Sequence, residues 1–144
     1  METATMGRVL VEATIENLKD LWAAEQGLCK PDEVRRVVVQ EVLIDTGATL
    51  LGMPTSLVKK LGLEKKRTKP AICTIGKTEV AIYGPVRLTI QGRECPVEVA
   101  EVPDEVPVLI GQIPLEYLDF IVDPKNQRLI GNPAHGGEQM LELF

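Results

Sequence analysis

Aromatic residues are scarce in this chain. They make up 3% of its 144 residues and comprise Trp22, Tyr83, Tyr117, Phe120 and Phe144. A core built from this material is aliphatic, and an aromatic stacking platform for single-stranded nucleic acid is excluded. Histidine occurs once, as His135 in a glycine-rich tail, so a histidine-dependent nucleophile has little to draw on. The three cysteines, Cys29, Cys73 and Cys95, are odd in number and form no Cys-x-x-Cys pair. They read as reduced, partly buried thiols of a cytoplasmic protein, not as a disulfide framework or a zinc site. No stretch approaches the ~18 apolar residues of a membrane-spanning helix. The N-terminus lacks the basic start and apolar run of a secretory signal. Positive charge is also short, with 16 Lys and Arg against 21 Asp and Glu, a net of −5. That balance argues against a phosphate-backbone partner, and neither a nucleic acid nor a membrane is expected to bind.

What the chain does hold is 44% hydrophobic residues, 26% charged residues and a length suited to one domain. A chain of this size buries roughly 68–70% of its unfolded surface, enough for a core without metal or disulfide. Most of it reads as strands. Val9, Val11, Ala13 and Ile15 alternate with their neighbours, and Val37 to Ile44 is a run rich in β-branched residues. Residues 17–34 read as a loop with a helical turn, punctuated by Gly27 and Pro31. After Met53-Pro54, Leu57 to Gly62 predicts a short helix capped by Thr55 or Ser56. The basic cluster Lys65-Lys66-Arg67 and Lys69 reads as a solvated loop.

From Ala71 to Val102 the pattern is that of hairpins. One turn is centred on Gly76-Lys77, a break falls at Gly84-Pro85, and a second turn falls at Gln91-Gly92. Val108-Leu109-Ile110-Gly111 reads as a buried strand and Ile113 to Tyr117 as a second short helix. Phe120 to Asp123 and Arg128 to Gly131 form a closing hairpin. Short strands, two short helices and no βαβ alternation predict a mostly-β barrel or sandwich.

One stretch points to chemistry. Asp45-Thr46-Gly47-Ala48 directly follows the apolar Val42-Leu43-Ile44, and a carboxylate placed there is costly unless it finds partners. Thr46 and Gly47 offer a hydroxyl and a flexible turn whose N–H groups can reach it. On the tripeptide alone, an Asx-type turn closing a strand is the better account, because so short a motif occurs by chance. The surrounding elements add weight. An apolar strand precedes Asp45, Met53-Pro54 and a helix follow it, and a hairpin with its tip near Ile75-Gly76-Lys77 comes next. Val108 to Gly111, with its following helix, closes the set, and Asp45 and Gly111 are 66 residues apart.

This ordered set resembles the retropepsin-like aspartic proteases, single-domain relatives of the pepsins that act as homodimers. The resemblance covers most of residues 37–123. It implies a closed or partly open β-barrel of the retropepsin type with two short helices. The expected core spans about residues 37–130, with an N-terminal extension 1–36 and a tail 131–144. By resemblance, Asp45, Thr46 and Gly47 are catalytic, and Ala48, Ile75, Gly76, Lys77 and Gly111 contact an extended peptide or protein substrate. Two Asp45 carboxylates, one from each chain, would share a proton and activate water, with no metal and no cofactor. The hairpin would be a flap, although it lacks paired glycines and carries Lys77 near its tip. His135 is assigned no chemistry, and Asp104, Asp119 and Asp123 are placed at the surface or in turns. A catalytically inactive dimerisation or peptide-binding module on the same fold is the alternative. A thiol enzyme using Cys73 is a third reading, without a basic partner to support it.

Overall fold

A computed structural model of the chain describes residues 8–143. The first seven residues of the expected N-terminal extension and Phe144 of the tail lie outside the described residues. The apolar alternation at the start becomes β1 (Leu10–Asn17), whose Ala13 and Ile15 point into the core. It pairs antiparallel with β2 (Arg36–Ile44), setting Ile15 opposite Val37 and Val11 opposite Val42. The connection holds more helix than expected. Asn17 accepts the Asp20 amide at 3.0 Å and caps α1 (Leu18–Glu25), and a 3-10 turn follows at Pro31–Glu33. No glycine or proline interrupts residues 18–25, so the helix runs until Gly27 adopts a φ of +75°.

β3 (Leu51–Pro54) leads into α2 (Thr55–Lys60), the expected helix. Its cap differs from expectation. The Ser56 amide takes a carboxylate oxygen of Asp104 at 2.9 Å, while the Thr55 hydroxyl turns to the Val102 carbonyl. The basic cluster is not a loop. It forms β4 (Lys65–Cys73), which pairs along its length with β5 (Gly76–Ile90). Backbone pairing supplied by β5 overrides the polarity of the run. The turn of this hairpin is Thr74-Ile75, two residues earlier than expected, because Cys73 pairs with Gly76. Gly76 has a φ of +122° and begins the return strand. The Gly84-Pro85 peptide is cis, and β5 passes through it with a register shift instead of ending there.

β6 (Arg93–Val102) follows a turn in which Gln91 and Gly92 both have positive φ. β7 (Leu109–Ile110) is only two residues long, and α3 (Gln112–Leu118) comes directly after it. β8 (Phe120–Asp123) and β9 (Arg128–Gly131) form the expected closing hairpin. The fold is mostly β, with three α-helices where two were expected.

Seven strands order as β1-β2-β7-β3-β6-β5-β4, and β1 also pairs with β5. Six of them thereby close into a ring, from which the β4 side of the hairpin extends. Ile15, Leu51, Leu88, Val99 and Ile110 are fully buried inside it. Each such side chain removed from water contributes about 1.5–3 kcal/mol. Where β1, β2 and β5 meet, buried Glu16 is held by Arg36 at 3.1 Å and Arg87 at 2.8 Å, so its charge is paired.

Asp119 stands in the turn that ends α3, one of the two placements expected, with a φ of +61°, but it is buried there at 5% exposed. His135, which was assigned no chemistry, has a structural place: its ring bridges Asp119 at 2.6 Å and Glu142 at 2.8 Å. No helix among the described residues is long and apolar enough to cross a membrane.

Candidate active site

β2 ends at Ile44, and the ladder continues one residue further: the Asp45 amide donates to the Ile110 carbonyl at 2.9 Å. The chain then turns sharply. Gly47 N–H donates to Asp45 Oδ1 at 3.0 Å and Ala48 N–H to the Asp45 carbonyl at 3.0 Å. This is the Asx-type turn that the tripeptide allows, and it orients the carboxylate through one oxygen while the other stays open. Asp45 is half-buried, and Thr46 and Gly47 are exposed. Among the described residues no cation lies within ion-pair distance of Asp45, and the Thr46 hydroxyl makes no hydrogen bond. The loop therefore presents a carboxylate and a hydroxyl outward.

What holds the loop is the second element of the sequence pattern. Gly111 N–H donates to the Leu50 carbonyl at 2.9 Å, Gln112 N–H to Ala48 at 2.9 Å and Ile113 N–H to Thr49 at 3.0 Å. A Cβ on Gly111 would come within 2.6 Å of the Leu50 oxygen and 2.7 Å of the Ala48 carbonyl. Gly111 is buried under the loop, where it supports Ala48. Among the expected site residues, the fold thus gathers Asp45, Thr46, Gly47, Ala48 and Gly111 into one unit.

Strand alternation defines the surface beside it. Ile44, Ile110, Leu51 and Val99 face the core, so their neighbours Leu43, Leu109, Gly52 and Ala100 face the other way. Asp45 continues that second face. Register carries it outward from Leu109 to Gly52, Ala100, Ile82 and finally Arg67 of β4. This floor is apolar from Leu109 to Ile82, and Gly52 is buried in it, where a Cβ would touch Leu109 at 3.4 Å and Val102 at 3.7 Å. Sequence reasoning missed this floor, because β3, β6 and β7 become neighbours only through the sheet order.

The hairpin β4–β5 continues the same face. At its tip Ile75 is 94% exposed and Ile72 85% exposed, an apolar end that stands open to solvent. Gly76 pairs with Cys73, and Lys77 pairs with Ile72 on the face turned away from Asp45.

The thiols lie apart from this arrangement. Cys95 is buried and its thiol is pushed up to about 11 by desolvation. Burial also raises Cys29. Cys73 is exposed, with its Sγ 3.4 Å from the Gly76 carbonyl, and the one histidine is engaged by Asp119 and Glu142. No cluster of metal-ligating side chains occurs among the described residues.

Comparison with known proteins agrees with this geometry. The aspartyl protease family model matches residues 34–113, from the strand before Asp45 to the first residues of α3. No curated protein matches the chain closely enough to stand as a relative. The matched segment covers more than half of the chain and contains the Asp45 turn, the hairpin and the Gly111 support, and so the chain belongs to the aspartyl protease family of retropepsin-like type.

Proposed function

We propose that the protein is an aspartic endopeptidase that acts as a homodimer, with the ring-like sheet serving as a retropepsin-type barrel. The observation that carries this reading is the single outward-facing Asp45 turn. It offers one carboxylate where peptide hydrolysis by water activation needs two. A second copy related by two-fold symmetry supplies the other.

Two facing carboxylates a few Å apart do not both ionise, so the pair holds one proton between them. The ionised member takes a proton from water, and the protonated member polarises the peptide carbonyl. The resulting gem-diol collapses with proton transfer to the leaving nitrogen, and no covalent enzyme species forms. Thr46, whose hydroxyl makes no hydrogen bond among the described residues, bonds across the interface and stiffens the paired loops. The hairpin closes over the substrate and excludes water. The substrate lies extended between hairpin and floor, its alternate side chains directed to the face that carries Leu109 and Gly52.

The experiment is a peptide-cleavage assay on the wild type and Asp45→Asn, with a statine-type inhibitor as control. Loss of inhibitor-sensitive cleavage in the variant supports the reading. Equal cleavage by both proteins sinks the assignment of Asp45. Peptide binding without turnover by the wild type would instead make the protein a binding module.

A further inference from the structure

The hairpin that covers the proposed cleft carries an unusual charge. β4 holds Lys65, Lys66, Arg67 and Lys69, β5 begins with Gly76-Lys77, and the only acid along the hairpin is Glu79. This concentration of positive charge stands in a chain whose net charge is −5. A cation run is ordinarily a solvated face, and its charges differ here in their partners and in the face they occupy.

Two are compensated. Lys66 lies 3.6 Å from Glu64, and Arg67 forms a two-pronged pair with Glu98, its Nη1 at 2.9 Å and Nη2 at 2.6 Å from the two carboxylate oxygens. The Arg67–Glu98 pair reaches from β4 to β6 across β5. It lies on the face that carries Ile82, which is 1% exposed although it stands outside the main core. Lys65, Lys69 and Lys77 form no ion pair among the described residues.

Register separates these three. Lys65 pairs with Tyr83, whose other partner Val99 faces the core, and it sits at the root of the hairpin. Lys77 pairs with Ile72 on the outer face. Lys69 pairs with Val80, one step beyond the Arg67–Ile82 pair on the same face, and this is the face continuous with Leu109, Gly52 and Asp45. Its neighbours toward the tip on that face are the small Ala71 and Thr78, which leave its side chain room to extend. Glu98 is the nearby carboxylate: Arg67 holds both its oxygens in direct contact, while Lys66 and Lys69 act on it only from further away. Lys69 is therefore a cation on the cleft side of the hairpin with no carboxylate in ion-pair contact among the described residues. It stands four residues, about 13 Å, back from the tip strand end at Cys73. A group there meets the substrate beside the scissile bond and not at it.

We infer that Lys69 is a specificity-determining residue that selects peptide substrates carrying a carboxylate in the segment flanking the scissile bond. The inference rests on the reading of the hairpin and Asp45 face as a peptide cleft. A Lys–carboxylate pair at a partly exposed site is worth up to about 1 kcal/mol, and added salt weakens it. The selectivity is thus modest and salt-sensitive, a bias among substrates instead of an absolute requirement.

The test measures binding to the full-length Asp45→Asn protein, so that turnover does not enter. Three extended peptides share one apolar centre and differ only in their flanking residues, which are Glu, Gln or Lys. The Glu peptide is expected to bind about two- to five-fold more tightly than the Gln peptide, and the Lys peptide more weakly than either. Lys69→Gln removes the preference, whereas Lys77→Gln, on the outer face, preserves it. Equal binding of the three peptides, binding of none of them, or a preference that survives Lys69→Gln overturns the inference. Cleavage of the same peptides by the wild-type protein separates the two claims. Peptides that are selected by charge but never cut overturn the peptidase reading and leave Lys69 assigned. Peptides that are cut without regard to charge do the reverse.

Discussion

His135 Nδ1 lies 2.6 Å from Asp119 Oδ2, and the other ring nitrogen lies 2.8 Å from a Glu142 carboxylate oxygen. Carboxylates accept, so two of them flanking the ring favour the imidazolium, the form that donates from both nitrogens. The same Asp119 takes the Asn132 amide at 3.1 Å and the Met140 backbone amide at 3.1 Å. Arg93 donates to the Leu118 and Asp119 carbonyls and to Gly137, and its guanidinium lies 4.5 Å over the Phe120 ring. These contacts fasten residues 132–142 to the end of α3, beyond the segment matched by the protease family.

This clasp has a pH window. The Glu142 and Asp119 carboxylates hold His135 above its ordinary 6.5, so its contribution is complete below about that pH and is lost as pH rises through the raised value. His135, joined by Asn132 and the Met140 amide, holds Asp119 below its ordinary 3.8. That contribution is complete above 3.8 and is lost as pH falls through the lowered value. Thermal unfolding of wild type and His135→Gln across pH should show the largest Tm difference between about 4 and 6.5, shrinking on either side. A difference that is flat with pH would remove the imidazolium from the account.

Gly111→Ala places a methyl where the Leu50 and Ala48 carbonyls already stand. The Asp45 loop must move to admit it, at a cost of about 1–3 kcal/mol in stability. Displacing a catalytic group by ~1 Å costs on the order of 10²-fold in rate, so kcat/KM should fall far more than the folded fraction does. Chemical denaturation and peptide kinetics on one preparation separate the two effects.

Leu88 is fully buried, opposite Ile15 of β1 and Cys95 of β6, at the seam where β5 closes the ring. Leu88→Ala should lose about 2–5 kcal/mol in urea unfolding. A loss near zero would mean that the β1–β5 seam is not part of the cooperative core.

Removing one arm of the buried ion-pair cluster is costly for a different reason. Arg87→Ala leaves the Glu16 carboxylate, which is 6% exposed, with Arg36 alone. The expected cost is about 1–3 kcal/mol. Glu16→Gln in the same background should recover part of it in the same unfolding assay, because an uncharged amide is less costly to bury.

The strands with period-two alternation, β1, β2 and the paired halves of β5 and β6, were legible because one side of each packs on the core. The Asp45 turn and the strand at Leu109–Ile110 were legible for a related reason: polar and glycine residues at the ends of apolar runs have few uses. Three other features depended on partners distant in sequence. β4 is a strand because β5 lies beside it, although its own residues are mostly cationic. α2 is capped by Asp104, which stands 48 residues from Ser56. Asp119 and His135, 16 residues apart, meet only because β8 and β9 fold back under α3. The role of Gly111 was half legible. Its position after an apolar run was visible, but the closeness of the Ala48 and Leu50 carbonyls that excludes a side chain there was not.

The central claim is that each chain holds half of an active site. Mixing wild type with increasing amounts of Asp45→Asn, under conditions where subunits exchange, tests it directly. If both carboxylates are required, mixed dimers are inactive, and peptide cleavage per wild-type chain falls in proportion to the share of variant, to roughly half at equal amounts. Cleavage per wild-type chain that does not change as the variant is added would contradict it.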